Sequence, residues 1–85
     1  MKITEFVTTP NPLALKCEVD GSLGEGPRSF KNATEASSDR VGAAVFTVQG
    51  VTNVLIHDRW FTVVRSGEAQ WKDIKAALER IVAGL

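Results

Sequence analysis

The stretch VTNVLIHDRWFTVVRS, residues 51–66, decides the fold. Two runs of β-forming residues flank His57-Asp58-Arg59, and Asp58 and Arg59 supply the turn of a hairpin. Side chains alternate along a strand, so Thr62 and Val64 share the face of Trp60. A second pair of strands lies upstream. Ile3 to Thr8 is rich in β-branched and aromatic residues. Leu13 to Asp20 alternates, with Leu13, Leu15, Cys17 and Val19 on one face and Ala14, Lys16, Glu18 and Asp20 on the other. Between them, Pro10 fixes φ for a turn and Pro12 pushes Asn11 into extended geometry, which predicts a wide hairpin rather than a tight one. Asn11-Pro12 is a candidate cis bond, although trans is the expectation, since only about 5–6 % of X-Pro bonds in folded proteins are cis.

The hairpins are separated by a glycine-rich excursion and a helix. DGSLGEGPRSFKN, residues 20–32, has the punctuation of a flexible loop, with a short extra edge strand around Arg28 to Lys31. From Ser38 the period changes: Val41, Ala44, Val45 and Val48 follow i, i+3, i+4, i+7 spacing, with Ser38 as N-cap, Asp39 in the first turn and Gly50 as the C′ stop. Gly42 and the β-branched valines predict a short helix that depends on packing. The last segment carries a continuous apolar stripe, Trp71, Ile74, Leu78, Ile81, Val82 and Leu85, and Gly84 marks a fraying end. The order ββαββα implies an α+β class, an antiparallel sheet from two hairpins with two helices on one face.

Composition narrows the functional classes. Eighty-five residues make one domain, residues 1–85, with a single small core. Ten basic and ten acidic side chains cancel, leaving no field to draw the chain to nucleic acid. No apolar run approaches the roughly 20 residues that span a bilayer, and the N-terminus lacks a signal-like apolar core. One cysteine forms no internal disulfide, so the expected setting is the reducing cytoplasm. Iron–sulfur clusters typically take four thiolates, so neither this chain nor a symmetric pair of copies is expected to hold a conventional cluster unaided.

No segment carries a self-sufficient catalytic motif. Cys17 shares its face with Leu13, Leu15 and Val19, the setting of a packed thiol, whereas a reactive one needs exposure and a nearby positive charge. His57 adjoins Asp58, but the chain has no other histidine and no nucleophile at a recognisable spacing, so it reads as a solvated turn residue. GSLGEG, residues 21–26, lacks the lysine and hydroxyl residue of a phosphate loop. Glu18 and Asp20 lie on an outward strand face as solvated charges. Trp71 opens the helical stripe and reads as a core anchor. Trp60 also reads as core; the alternative is the aromatic centre of a partner surface, beside His57 and Arg59.

The string TTPNPLALKC, residues 8–17, resembles the opening motif of the N-terminal domain of Nfu/NifU-like iron–sulfur scaffold proteins. EASSDRVGAAVFTVQGVTNVLIHDRWFTVVR, residues 35–65, is similar to that domain's small-residue turn, short helix ending in Phe-x-x-x-Gly-Val, and hairpin; WKDIKAAL, residues 71–78, looks like its terminal helix. The most specific elements are Thr9 to Pro12 and Phe46 to Val51. Two departures stand out: Cys17 occupies a position where the family usually has an aromatic or other apolar residue, and Asp39 replaces the proline common after the paired serines. In such scaffold proteins cluster binding belongs to a separate domain with a C-x-x-C pair, which residues 1–85 do not contain. The resemblance therefore implies a non-enzymatic accessory or protein-interaction module of iron–sulfur cluster assembly, with no cofactor of its own and with protein partners from that machinery. Its expected partner surface comprises Thr9, Pro10, Asn11, Pro12, His57, Arg59 and Trp60, although the turn chemistry of the first four is equally suited to an architectural role. Two other classes stay open: a small thiol-dependent redox protein using Cys17, and a regulatory or ligand-binding domain outside that pathway.

Overall fold

A computed structural model describes residues 1–85. Strands β1 (Ile3–Thr8), β2 (Ala14–Val19) and β3 (Arg28–Phe30) precede helix α1 (Arg40–Phe46); β4 (Val51–Ile56), β5 (Trp60–Arg65) and helix α2 (Trp71–Ala83) complete the chain. The strands form one antiparallel sheet in the order β1-β2-β5-β4-β3. The two expected hairpins meet through the β2–β5 pairing, and β3 adds the short edge strand expected around residue 28.

Register fixes which face is buried. Leu15 lies opposite Val63, which lies opposite Val54; Cys17 lies opposite Phe61, which lies opposite Ile56. These six side chains are buried and pack with Val41, Val45, Ile74, Leu78 and Val82 from the helices into a single core. The stripe of α2 therefore works as its spacing predicts: Ile74, Leu78 and Val82 are buried, with Trp71, Ile81 and Leu85 half-buried around them.

Several expectations are corrected. Leu13 is not on the core face, because β2 begins at Ala14; Leu13 lies in the turn and is 37 % exposed. Asp39, not Ser38, caps α1: its backbone is extended and its Oδ1 accepts from Gly42 N–H at 2.9 Å. Gly50 is not the C′ residue of α1, whose C-cap is Thr47; three residues past that cap, its φ of +97° turns the chain into β4. Trp71, by contrast, packs against the core at the start of α2 as its spacing predicts, half-buried there.

The glycine-rich excursion is anchored rather than free. Leu23 is only 4 % exposed and donates its N–H to Asp58 O at 2.6 Å, while Ser22 Oγ donates to Asp58 Oδ1. Gly26 packs so closely on β4 that a Cβ there would stand 2.7 Å from Ile56 O. Burial of the Leu23 side chain and the hydrogen bonds to Asp58 together tie the loop down. Asn11-Pro12 is trans; the cis bond in this chain is Gly26-Pro27.

Candidate functional site

With both helices on one side, the opposite face of the sheet is uncovered. Its central row runs Val7, Lys16, Thr62, Leu55, Ser29 across the five strands, by the observed register. The neighbouring rows bring Glu5, Glu18 and Trp60 together on one side, and Ala14, Val64 and Asn53 on the other. Trp60 therefore lies with Thr62 and Val64 as its spacing predicts, but on the open face; Phe61 and Val63 take the core positions. The core reading of Trp60 is overturned by the β2–β5 register, which sets Phe61 against buried Cys17.

Around Trp60 the geometry is specific. The His57 ring stacks on it at 4.2 Å between centroids and 17° between planes, and Lys16 Nζ sits 4.8 Å from its ring centroid. Lys16 is also 3.7 Å from Glu18 Oε2. His57 is thus half-buried by a stacking contact rather than freely solvated, and its N–H closes the turn onto Trp60 O at 2.8 Å. Arg59, at the exposed tip, is 3.9 Å from Asp58. A separate shallow groove of about 320 Å³ lies toward the β3 edge, lined by Thr62, Val64, Leu55, Asn53, Ser29 and Lys31 among others. Lys16 lies on the face opposite Cys17, as the alternation of its strand predicts; Leu55, Thr62 and Val64 are not legible as surface residues in the sequence, where β4 and β5 are apolar on both faces. A two-residue period alone does not say which face a helix covers.

The Thr9–Pro12 turn stands at the other end of the sheet. The β1–β2 turn adjoins the end of β5 at Arg65, whereas His57, Arg59 and Trp60 adjoin its start, so the two groups of expected site residues are separated by the length of a strand. Within the turn the polar groups serve the backbone. Thr9 Oγ1 donates to Asn11 O at 2.8 Å and accepts from Asn11 N–H at 3.2 Å; Asn11 Oδ1 accepts from Leu13 N–H at 3.0 Å. Trp71 Nε1 donates to Pro12 O at 3.4 Å, tying the turn to α2.

Cys17 is fully buried, and desolvation pushes its thiol up to about 12 despite the opposing charge of Lys75. At neutral pH it is protonated and inaccessible, which makes it a poor nucleophile. No three His, Cys, Asp or Glu side chains converge to a group that would hold a metal ion. No helix is long and apolar enough to cross a membrane.

Architecture and surface together define a two-layer α+β domain with one open sheet face. The family described as the scaffold protein Nfu/NifU N terminal matches residues 3–84, and the chain belongs to that family, which associates it with iron–sulfur cluster assembly. Among solved structures, protein SAV1430 from Staphylococcus aureus is 20 % identical with a TM-score of 0.80, over 96 % of this chain and 99 % of that one. A NifU-like protein from Saccharomyces cerevisiae is 24 % identical with a TM-score of 0.77, over 98 % and 77 % of the two chains. SeR13 from Staphylococcus epidermidis is 18 % identical with a TM-score of 0.65, over 99 % and 98 %. At these identities the structures establish a shared fold. No curated protein matches the sequence.

Proposed function

We propose that this domain is a non-enzymatic interaction module of iron–sulfur cluster assembly that contacts protein partners and does not itself hold a cluster. The observation that carries the reading is the family match across residues 3–84. The surface that best supports it is the end of the sheet where Trp60, stacked by His57 and flanked by Lys16, lies beside exposed Arg59. Trp and Arg concentrate binding energy at protein interfaces, because a large ring buries much area while holding few rotamers. Thr9, Pro10, Asn11 and Pro12 enter the proposal as the frame of the opposite end, since the side chains of Thr9 and Asn11 are engaged with their own turn.

The test is anaerobic capture of the tagged protein from its source cell, comparing wild type with Trp60→Ala and Arg59→Ala. Near-stoichiometric recovery of cluster-assembly or cluster-receiving proteins, reduced at least tenfold by either substitution in a protein that stays folded, is the expected result. Recovery that both variants leave unchanged would remove this surface from the reading. In parallel, anaerobic reconstitution with iron and sulfide is expected to leave no stable chromophore; one at cluster stoichiometry would overturn the proposal that the domain holds no cluster. The thiol-dependent alternative requires an accessible thiolate, and the burial of Cys17 weighs against it.

A further inference from the structure

The uncovered face has a charge layout that matches its own image. Glu5 stands at the β1 edge in the row of Glu18 and Trp60, and Lys31 lies beyond Phe30 at the β3 edge, lining the groove with Asn53 and Val64. The two therefore occupy diagonally opposite corners of the face, with Lys16, Thr62 and Leu55 of the central row between them and Val7 and Val64 to either side. Both are exposed, and neither joins an ion pair within the chain. Glu5 lies directly opposite Glu18, a like-charge pairing that disfavours the strand contact; Lys16 relieves Glu18 but leaves Glu5 without a counter-charge.

We infer that the open sheet face is a self-association surface, covered reversibly by a second copy of this chain. A two-fold axis in the plane of the interface, perpendicular to the Glu5–Lys31 diagonal and passing near Thr62, places the acidic corner of each copy on the basic corner of the other. The same rotation lays Trp60 of one copy against Leu55 of the other, so this apolar contact and the Glu5–Lys31 pair each occur twice, as a two-fold interface requires. Strands of the two copies then cross steeply, in the manner of orthogonal sheet packing.

Size sets the strength. Four strands of six residues and one of three, about 4.8 Å apart and rising about 3.3 Å per residue, give a face of roughly 430 Å², so two faces bury roughly 900 Å² together. That is near the lower limit for a specific interface and predicts a reversible dimer that dissociates on dilution.

Sedimentation equilibrium on the purified protein, up to about 0.5 mM at low salt, tests this directly. Wild type is expected to move between monomer and dimer across the concentration range, with association falling as salt rises. Leu55→Glu is expected to abolish the dimer while leaving the urea midpoint of dilute, monomeric protein unchanged. Glu5→Lys and Lys31→Glu should each weaken association about tenfold, and the combined reversal should restore it. A wild type that stays monomeric at about 0.5 mM overturns the inference, as does a dimer indifferent to Leu55→Glu or a combined reversal no tighter than the single ones. The measurement uses the isolated chain, so its outcome is independent of any iron–sulfur partner.

Discussion

The Asp39–Arg28 contact joins three parts of the fold, and its removal has a size that can be worked out. Asp39 Oδ1 caps α1 through Gly42 N–H at 2.9 Å, while Oδ2 accepts from Arg28 Nε at 2.5 Å. Arg28 in turn donates to Leu23 O at 3.0 Å and to Glu25 O, so it fastens the glycine-rich loop to the helix start. The side chains are 14 % and 27 % exposed, sheltered enough for the charge to matter yet short of a fully desolvated pair. Loss of an N-cap costs about 1 kcal/mol, and a charge-assisted hydrogen bond to a sheltered partner about 1–2 more. Asp39→Ala should therefore cost about 2–3 kcal/mol, and Asp39→Asn, which still caps, about 1–2. The assay is urea unfolding with an unchanged m-value. The pH dependence is a second readout. Burial alone would raise the Asp39 carboxyl, but hydrogen bonds from Arg28 and the backbone, with the Arg28 charge, outweigh it and hold the group below its usual range. On acidification the unfolded chain takes up this proton first, so the contribution is complete above about pH 5 and is lost as pH falls through the folded-state value. Asp39→Asn should flatten that acid limb. An Asp39→Ala protein within about 0.5 kcal/mol of wild type, or an acid limb unchanged in Asp39→Asn, would refute the reasoning.

Other positions give equally direct tests. A Cβ at Gly50 would stand 2.6 Å from Ala69 Cβ at a φ of +97°, so Gly50→Ala should cost about 2–4 kcal/mol in denaturant, and a second change, Ala69→Gly, should recover the steric part but not the backbone strain. Phe61→Ala should cost about 3–5 kcal/mol and its neighbour Trp60→Ala less than about 1.5, because one ring is in the core and the other on the open face; equal costs would contradict the register. Native Cys17 should resist alkylation at neutral pH until urea opens the core, as a time course of labelling against denaturant would show. Because its thiol is raised to about 12, stability should decline from about pH 9 upward by as much as about 1.4 kcal/mol per unit, and Cys17→Ala should lack that Cys17-dependent decline.

What the sequence discloses and what it withholds follow from the range of the interactions involved. The stripe of α2 and the alternation from Leu15 to Val19 are local patterns, and both report their buried faces correctly. Trp60 is different in kind. In β5 one face offers Trp60, Thr62 and Val64 and the other Phe61 and Val63, so both are apolar enough to be buried; the choice comes from pairing with a strand more than 40 residues earlier, which sets Cys17 against Phe61. Asp39 fails for a smaller reason: Ser38 and Asp39 are both good caps, and Arg28, distant in sequence, rewards the aspartate. The same long-range pairing sends the Thr9–Pro12 turn and the Trp60 turn to opposite ends of the sheet, although each is legible as a turn by itself. An interaction surface built on an open sheet face is hard to read locally, because the residues that make it adhesive are the ones that make it a strand. Leu55 and Val64 suit a strand whichever way they point, and only the helices packed on the other side leave them on the uncovered face.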